Sequence, residues 1–299
     1  METITLFDTP TAAPVAKPRR PAWLRARAPM GENYEDVREL MRDLDLHTVC
    51  EEARCPNIGE CWNHRTATFL LLGDTCTRGC RYCAIGKGKP KAIDEQEPQR
   101  IAEAVAHLQL KHVVLTAVNR DDQADGGAHI FAESIRLIRE LHSGCRVEVL
   151  IPDFDGNWAA LAMVLAAEPD VLNHNIETVP RLFRRFRPRA GFEQSLELLR
   201  LARELRPHII TKSGMMVGAG ETDNEVIAVM DALRRSDVDV LTIGQYLSPT
   251  GDHWPIDRYV TPETFVWYKT EALARGFKHV ESGPLVRSSY HAHEHVADL

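Results

Sequence analysis

Six of the seven cysteines in this chain fall into two groups of three: "CEEARCPNIGEC", from Cys50 to Cys61, and "CTRGCRYC", from Cys76 to Cys83. Seven cysteines so clustered do not make a disulfide framework. Their spacing points to metal binding or catalysis, because the thiolate is both a nucleophile and a soft metal ligand. Zinc sites gather cysteine pairs, or a cysteine pair with a histidine pair, and neither group has that arrangement. Iron–sulfur cubanes take thiolates, usually four, from a compact loop. Cys76, Cys80 and Cys83 reach three corners of such a cluster, and no fourth cysteine lies nearby. The fourth iron is then open to an outside ligand, as the open position of a catalytic zinc is open to substrate. Cys145, in "HSGCRVEVL", belongs to neither group and is expected to pack as a small buried hydrophobe.

The elements that hold these groups are legible in the apolar pattern. Val37, Leu40, Met41 and Leu44 recur at helical spacing and predict a short helical region leading into Cys50. From Thr66 onward, strand-like runs ("TATFLLLG", "KHVVLTAV", "RVEVLIP", "DVLNHNIE", "HIITKSGMMVG", "DVLTIGQY") alternate with helix-like segments. Strand and helix alternating at this length predict a parallel sheet covered by helices. Six units, with polar residues recurring just after the strands, favour an α/β fold of partial (β/α)6 TIM-like barrel type over a doubly wound sheet. Chemistry in such barrels sits at the C-terminal strand ends, and the loop carrying Cys76, Cys80 and Cys83 leaves the first strand there. The expected organisation is a flexible basic arm over residues 1–29 and an extension with the first cysteine group over 30–65. The barrel follows over 66–283, and a tail over 284–299. The histidines His291, His293 and His295 of that tail are expected in a mobile, solvated terminus.

Composition narrows the function classes. A net charge of −7 on 299 residues, with pI about 6.0, argues against general nucleic-acid binding. No apolar run is long enough to span a bilayer, and the N-terminus lacks the pattern of a secretory or transit segment. The expectation is a cytoplasmic monomer with no membrane and no nucleic-acid partner. Lys17, Arg19, Arg20, Arg25 and Arg27 make the N-terminal arm locally basic, either as a solvated arm or as a dock for an acidic partner. A two-cluster electron-transfer protein and a zinc-stabilised interaction module are the alternatives from other classes.

The motifs also carry a family resemblance. CxxxCxxC after the first barrel strand resembles the hallmark of the radical S-adenosylmethionine superfamily. CxxxxCxxxxxC resembles the auxiliary-cluster motif of the lipoyl synthase family within it. "TAVNRDDQADGGA", "EVLIPDF", "HNIETV", "KSGMMVGAGET" and "RSSYHA" are similar to the same family, so the likeness runs from about Pro21 to Ala292. Pairing "CEEARCPNIGEC" with "RSSY" sets it apart from other sulfur-inserting members, such as methylthiotransferases and biotin synthase.

The resemblance implies a radical-type barrel with N- and C-terminal extensions, two 4Fe–4S clusters and S-adenosyl-L-methionine. Cys76, Cys80 and Cys83 would hold the radical cluster. Cys50, Cys55 and Cys61 would hold the auxiliary one, with Ser289 as its fourth ligand and Ser288 as the second choice. It implies cofactor contacts from Asn119, Asp121, Asn175, Glu177, Lys212, Ser213, Gly218, Gly220 and Glu221. Asn119 and Asp121 stand where many superfamily members carry a glycine-glycine-glutamate motif. It also implies the activity, insertion of two sulfur atoms at carbons 6 and 8 of a protein-bound octanoyl chain, with sulfur drawn from the auxiliary cluster. Implied partners are octanoylated lipoyl domains of 2-oxoacid dehydrogenase complexes, the glycine-cleavage H protein, an electron donor such as ferredoxin or flavodoxin, and a cluster-carrier protein. The arginine-rich "RLFRRFRPRAGF" reads as a solvated helix end, as a guide for an acidic carrier, or as a counter-charge to the cofactor's carboxylate.

Overall fold

The computed structural model describes residues 20–26, 28–64 and 66–295, so most of the basic arm lies outside the described residues. Numbered along the chain, the strands are β1 (Thr68–Leu71), β2 (Thr75–Cys76), β3 (Gly86–Lys87), β4 (His112–Ala117), β5 (Arg146–Leu150), β6 (Val171–Asn173), β7 (Ile210–Val217), β8 (Val240–Gln245) and β9 (His279–Gly283). β2 and β3 form a small ladder of their own. The other seven make one sheet in the order β1-β4-β5-β6-β7-β8-β9, every neighbouring pair parallel. Helices α1 (Glu32–Asp43), α2 (Val49–Glu52) and α3 (Ile58–Asn63) precede β1. Helices α4 (Glu97–Leu108), α5 (Ala128–Leu141), α6 (Trp158–Ala166), α7 (Pro180–Phe186), α8 (Phe192–Leu205), α9 (Asp223–Arg235) and α10 (Pro262–Ala274) connect the strands.

A parallel sheet needs apolar cover, and the helices supply it. α5 turns Ile130, Phe131, Ile135 and Ile138 inward, and α9 does so with Val226, Val229, Met230 and Leu233. α9 starts in a capping box, Thr222 accepting from the Glu225 amide while Glu225 reaches back to the Thr222 amide. The sheet curls. Leu70, Thr116, Leu150, Gly214 and Thr242, from five of its strands, all face one cavity.

Two features depart from the sequence reading. The six expected strands are joined by a seventh, β9, whose "HVESG" buries only Val280 and therefore carries no apolar alternation. The helical region expected before Cys50 is two helices. Asp45 takes a left-handed backbone (φ 48°), and Thr48 caps α2 by accepting from the Glu51 amide. The intervening stretch is needed elsewhere: Thr48 bridges antiparallel to Phe69, and the Leu70 amide donates to His47 O (2.9 Å). That contact covers the free edge of β1, a position otherwise open to pairing with another chain. Among the described residues, no helix is long and apolar enough to cross a membrane.

Candidate functional site

The "CTRGCRYC" loop is held from several sides. β1 ends at Leu71, and Leu72 and Gly73 both turn left-handed (φ 70° and 87°), throwing the chain off the sheet. Cys76 then pairs with Lys87 in the β2–β3 ladder. Arg78 lies 3% exposed inside the loop, its guanidinium forked on Asp121 (2.8 and 2.9 Å) and reaching Asp153 (2.7 Å). Further round, the Arg81 amide donates to Phe186 O (2.9 Å), and Tyr82 stacks on Phe186 (4.7 Å). A ring nitrogen of His253 meets Cys83 O (3.0 Å). The backbone amides of Arg78 and Asn119 point at Cys76 Sγ (3.4 and 3.3 Å), as amides do around cluster sulfurs, where such hydrogen bonds tune potential.

The other triad is built by two short helices. Cys50 lies on α2 and Cys61 on α3, with Cys55 between them. The Cys55 amide returns to Cys50 O (3.0 Å), and the Cys61 amide to Asn57 O (2.9 Å). Asn57 then reaches across the molecule, its side-chain amide donating to Leu285 O (2.8 Å). Tyr290 donates to Glu60 (3.1 Å) and stacks on His291 (4.0 Å). The N-terminal extension and the tail are thus fastened to each other. The tail is ordered further than expected: His295 is buried beside His279, ring centroids 5.1 Å apart, instead of standing in solvent.

Both triads open on the same cavity, about 660 Å³, at the C-terminal ends of the strands. Cys50 and Cys55 line it from the N-terminal extension and Cys76, Cys80 and Cys83 from the loop after β1; Ser288 and Ser289 of the tail line it as well. Cys61 stands behind the first two, near enough to Cys55 for that thiol to raise the cost of ionising it. Two glycines let the tail cross the barrel mouth. A Cβ at Gly244 would sit 2.1 Å from Val286 O, and one at Gly214 would meet Thr242, Asn175 and Ser288 within 3.1 Å. The Ser288 hydroxyl donates to Asn175 Oδ1 (2.9 Å), whereas among the described residues the Ser289 hydroxyl has no partner.

All six cysteines are free thiols. Burial pushes Cys50, Cys61 and Cys83 up to about 12, and raises Cys55 and Cys80 as well. Two guanidiniums oppose this, the half-buried Arg287 at Cys55 and the buried Arg187 at Cys80. Thiols in that state lose their protons when a metal centre replaces them, so cluster binding would release protons to solvent. Among the described residues, no three His, Cys, Asp or Glu side chains close on the position of a single metal ion. The donor set suits multi-iron clusters instead: among the described residues there are two groups of three free thiols, five of them lining the cavity with Cys61 behind, and the unpartnered Ser289 hydroxyl beside them. Cys145 lies apart from the cavity, buried, its thiol donating to Arg146 O (3.5 Å).

Of the nine expected cofactor contacts, Asn119, Asn175 and Glu177 line the cavity. Glu177 has a left-handed backbone (φ 66°) locked by hydrogen bonds to Gly214 O and from the Met216 amide. Burial raises its carboxyl above the ordinary range, with Arg187 opposing. The other six are engaged elsewhere. Asp121 is occupied by Arg78 and Thr77 (3.0 Å). Ser213 donates to His174 O and accepts from the Ile176 amide, joining β7 to the end of β6. Gly218, Gly220 and Glu221 form a self-contained turn in which Glu221 accepts from the Gly218 and Ala219 amides (2.7 and 2.9 Å). Gly218 is required there, since a Cβ would meet Gln245 Nε2 at 2.2 Å.

Lys212 lies inside the barrel, fully buried on Glu148 (2.8 and 3.1 Å). Burial pushes the Glu148 carboxyl up, but Lys212, with His112 behind it, outweighs that and holds it near 2. Lys212→Met is therefore expected to cost about 3–5 kcal/mol by stranding a buried carboxylate, measured by denaturant unfolding. Pairing it with Glu148→Leu is expected to recover most of the loss. A raised KM for cofactor at unchanged stability would instead return Lys212 to the binding site.

Arg187 and Arg287 were not singled out by position in the sequence, though each lies within a motif that was. Arg187 sits on the cavity wall beside Glu177, its guanidinium donating to Asn175 O (2.9 Å). Among the readings open for "RLFRRFRPRAGF", burial at this residue favours a counter-charge to a bound anion.

Comparison with known proteins fits this geometry. The model of the radical SAM superfamily matches residues 70–233, and that of the N-terminal domain of lipoyl synthase of the radical SAM family matches 11–55. The chain is 74% identical over 287 residues to the lipoyl synthase of Chloroflexus aggregans, covering 96% of this chain and 94% of that one. To the lipoyl synthase of Pseudomonas aeruginosa it is 51% identical over 276 residues, covering 92% and 84%. Among solved structures, methylornithine synthase superposes with a TM-score of 0.53 at 15% identity, over 85% and 83% of the two chains. Streptococcus suis SuiB bound to S-adenosylmethionine gives 0.58 at 9%, over 90% and 59%. These likenesses bear on the fold alone.

Proposed function

Because the chain belongs to the lipoyl synthase family of the radical SAM superfamily, a family of sulfurtransferases, we propose that it inserts sulfur at carbons 6 and 8 of an octanoyl chain held on a carrier lysine. The radical SAM family brings a 4Fe–4S cluster and S-adenosylmethionine; the second cluster is part of the proposal. The observation that carries the reading is the shared cavity. Five of the six clustered cysteines and an unpartnered serine hydroxyl line one volume of about 660 Å³, with Cys61 behind them, so a radical generated at one group forms in the same cavity as a sulfur source at the other.

When bound, the radical-site cluster supplies one electron that cleaves S-adenosylmethionine to methionine and a hydrogen-abstracting 5′-deoxyadenosyl radical. Cys76, Cys80 and Cys83 would hold that cluster with three thiolates. Arg187 supplies the buried positive charge that a carboxylate entering the cavity needs, and Asn119, Asn175 and Glu177 supply polar groups to orient it. Val118, Leu150, Met215, Met216 and Ile256 line the cavity with apolar surface, which excludes water from a reactive carbon centre. Cys50, Cys55, Cys61 and Ser289 present the auxiliary cluster, which is the sulfur substrate. A hydroxyl oxygen is a harder, weaker donor to iron than thiolate, so Ser289 would be the ligand that lets go as the cluster yields a sulfur to the carbon radical, the odd electron passing to cluster iron. We read residues 30–65 and 284–299 as one unit acting over the barrel of 66–283, which fits the contacts of Asn57 and Tyr290 across them. The acyl carriers would be octanoylated lipoyl domains of 2-oxoacid dehydrogenase complexes and the glycine-cleavage H protein. A ferredoxin or flavodoxin would supply electrons, and a cluster-carrier protein would rebuild the auxiliary cluster, in a cytoplasmic monomer.

The test is an anaerobic incubation of reconstituted protein with S-adenosylmethionine, dithionite and an octanoyl-lysine peptide. Sulfur gained by the peptide together with 5′-deoxyadenosine is expected. 5′-Deoxyadenosine without sulfur gain would remove the lipoyl assignment and leave the radical site. Neither product, with about eight irons bound per chain, would favour the electron-transfer alternative.

A further inference from the structure

We propose that the exposed face made by the cysteine loop and the end of α7 is the docking surface for an acidic one-electron carrier protein. The inference rests on the radical-site reading above. It adds where the electron enters and which side chains choose the donor.

The chain carries 43 acidic and 36 basic side chains, and over most of its surface arginine and carboxylate are interleaved. Arg136 lies between Glu133 and Glu140, Arg200 between Glu197 and Glu204, and Arg275 between Asp231 and Glu271. Around the cysteine loop the pattern stops. Arg81, Lys87 and Lys89 of the loop, with Arg184 and Arg185 of α7, are exposed, and none has a carboxylate partner among the described residues. Two of these cations are fixed in place. Arg81 and Arg185 lie over the ring of Trp254 (5.2 and 5.4 Å), so two guanidiniums are held together on one nearly buried indole. The acidic side chains of the adjoining segments are Asp252 and Asp257, exposed on either side of Trp254, and Asp74, whose carboxylate takes the Thr75 hydroxyl. They are outnumbered.

This face is also the short way to the radical cluster. Arg81 and Tyr82 stand between Cys80 and Cys83, so the surface is one residue from two of the ligands. Beneath it the packing is aromatic. Trp254 meets Phe186 edge-on (5.5 Å), and Phe186 stacks on Tyr82 (4.7 Å). A donor seated on Arg81 and Arg185 is separated from the cluster by packed side chains, and neither these two arginines nor Trp254 lines the cavity, although Lys87 reaches its edge, so the cavity stays free for cofactor and substrate. Each cleavage of S-adenosylmethionine consumes one electron, so the surface must bind a carrier, release it oxidised and bind another. Unpaired surface cations suit that cycle, because electrostatic steering raises association rates without the long residence that a buried apolar interface brings.

The experiment compares the native chain with Arg185→Glu/Lys89→Glu and with the milder Arg184→Gln/Arg185→Gln. 5′-Deoxyadenosine formation is driven either by dithionite or by flavodoxin with its NADPH-dependent reductase. With flavodoxin at low ionic strength, kcat/KM for the carrier is expected to fall about tenfold or more in the charge-reversed variant, and less in the neutral one. The gap is expected to close as added salt shortens the screening length below about 10 Å. Dithionite-driven cleavage is expected to be unchanged, since it reports only the cluster and the cofactor pocket. Equal loss with both reductants would overturn the proposal, as would no loss with flavodoxin. A raised KM for an octanoylated lipoyl domain with flavodoxin kinetics unaltered would hand the face to the acyl carrier instead. Failure of the native chain to form product even with dithionite would remove the radical-site reading itself, and the docking surface with it.

Discussion

Cys55→Ala is expected to abolish sulfur gain on an octanoyl-lysine peptide while cleavage of S-adenosylmethionine continues. Cys80→Ala is expected to abolish both. The contrast follows from the cavity: Cys55 lines the wall built by the N-terminal extension, and Cys80 lies in the loop that β1 releases. In the Cys55 variant iron should fall from about eight to about four per chain, because one cubane loses its seat. Methionine and 5′-deoxyadenosine still form, and the peptide is recovered without added sulfur. Iron analysis and mass spectrometry of the peptide read both effects. Sulfur insertion surviving in Cys55→Ala would mean that the sulfur comes from somewhere other than the first triad.

Gly244→Ala is expected to damage sulfur insertion almost as severely, through the backbone. The new methyl would sit 2.1 Å from Val286 O and 3.3 Å from Arg287 Nη1, and a carbonyl of the main chain has no rotamer by which to yield. The segment from Val286 to Ser289 must lift off β8, and Ser289 moves with it. A displacement of about 1 Å can cost about a hundredfold in rate, so sulfur insertion should fall by about that factor. Overpacking should also cost about 1–3 kcal/mol of stability. Cofactor cleavage should fall less, because the radical triad is held by β2, α7 and the loop around His253, and the displaced tail reaches the cofactor pocket only through the bond from Ser288 to Asn175. Gly144→Ala is the control, since a Cβ there meets nothing within 4 Å. Normal sulfur insertion by Gly244→Ala would show that the tail's seat on β8 is dispensable.

The two triads were legible because cysteine spacing is informative in itself: the residue type is rare, and three within a loop have few uses. The barrel was legible because a buried parallel sheet writes itself as apolar runs. β9 failed that test, its single buried Val280 leaving no run to read. The cofactor contacts were legible only in part, for a physical reason. A polar residue after a strand looks the same whether it faces a cavity or satisfies a buried neighbour. Asn175 and Glu177 do the first, while Asp121 and Lys212 do the second. One signal for Lys212 was present and unread. Glu148 stands in the middle of the apolar strand "RVEVL", and a carboxylate buried there needs a cation from a neighbouring strand. Arg187 was hidden differently, as one of five arginines in nine residues from Arg181 to Arg189, of which it alone is buried.

The most direct test of sulfur donation by the auxiliary cluster is an isotope experiment. The chain is reconstituted with iron and heavy-isotope sulfide, freed of excess sulfide, and allowed a single turnover with an octanoyl-lysine peptide before mass spectrometry. Heavy sulfur at both inserted positions is expected, with no label transferred by Cys55→Ala. Natural-abundance sulfur in the product, or equal labelling by the Cys55 variant, would contradict the reading of this cluster as the substrate.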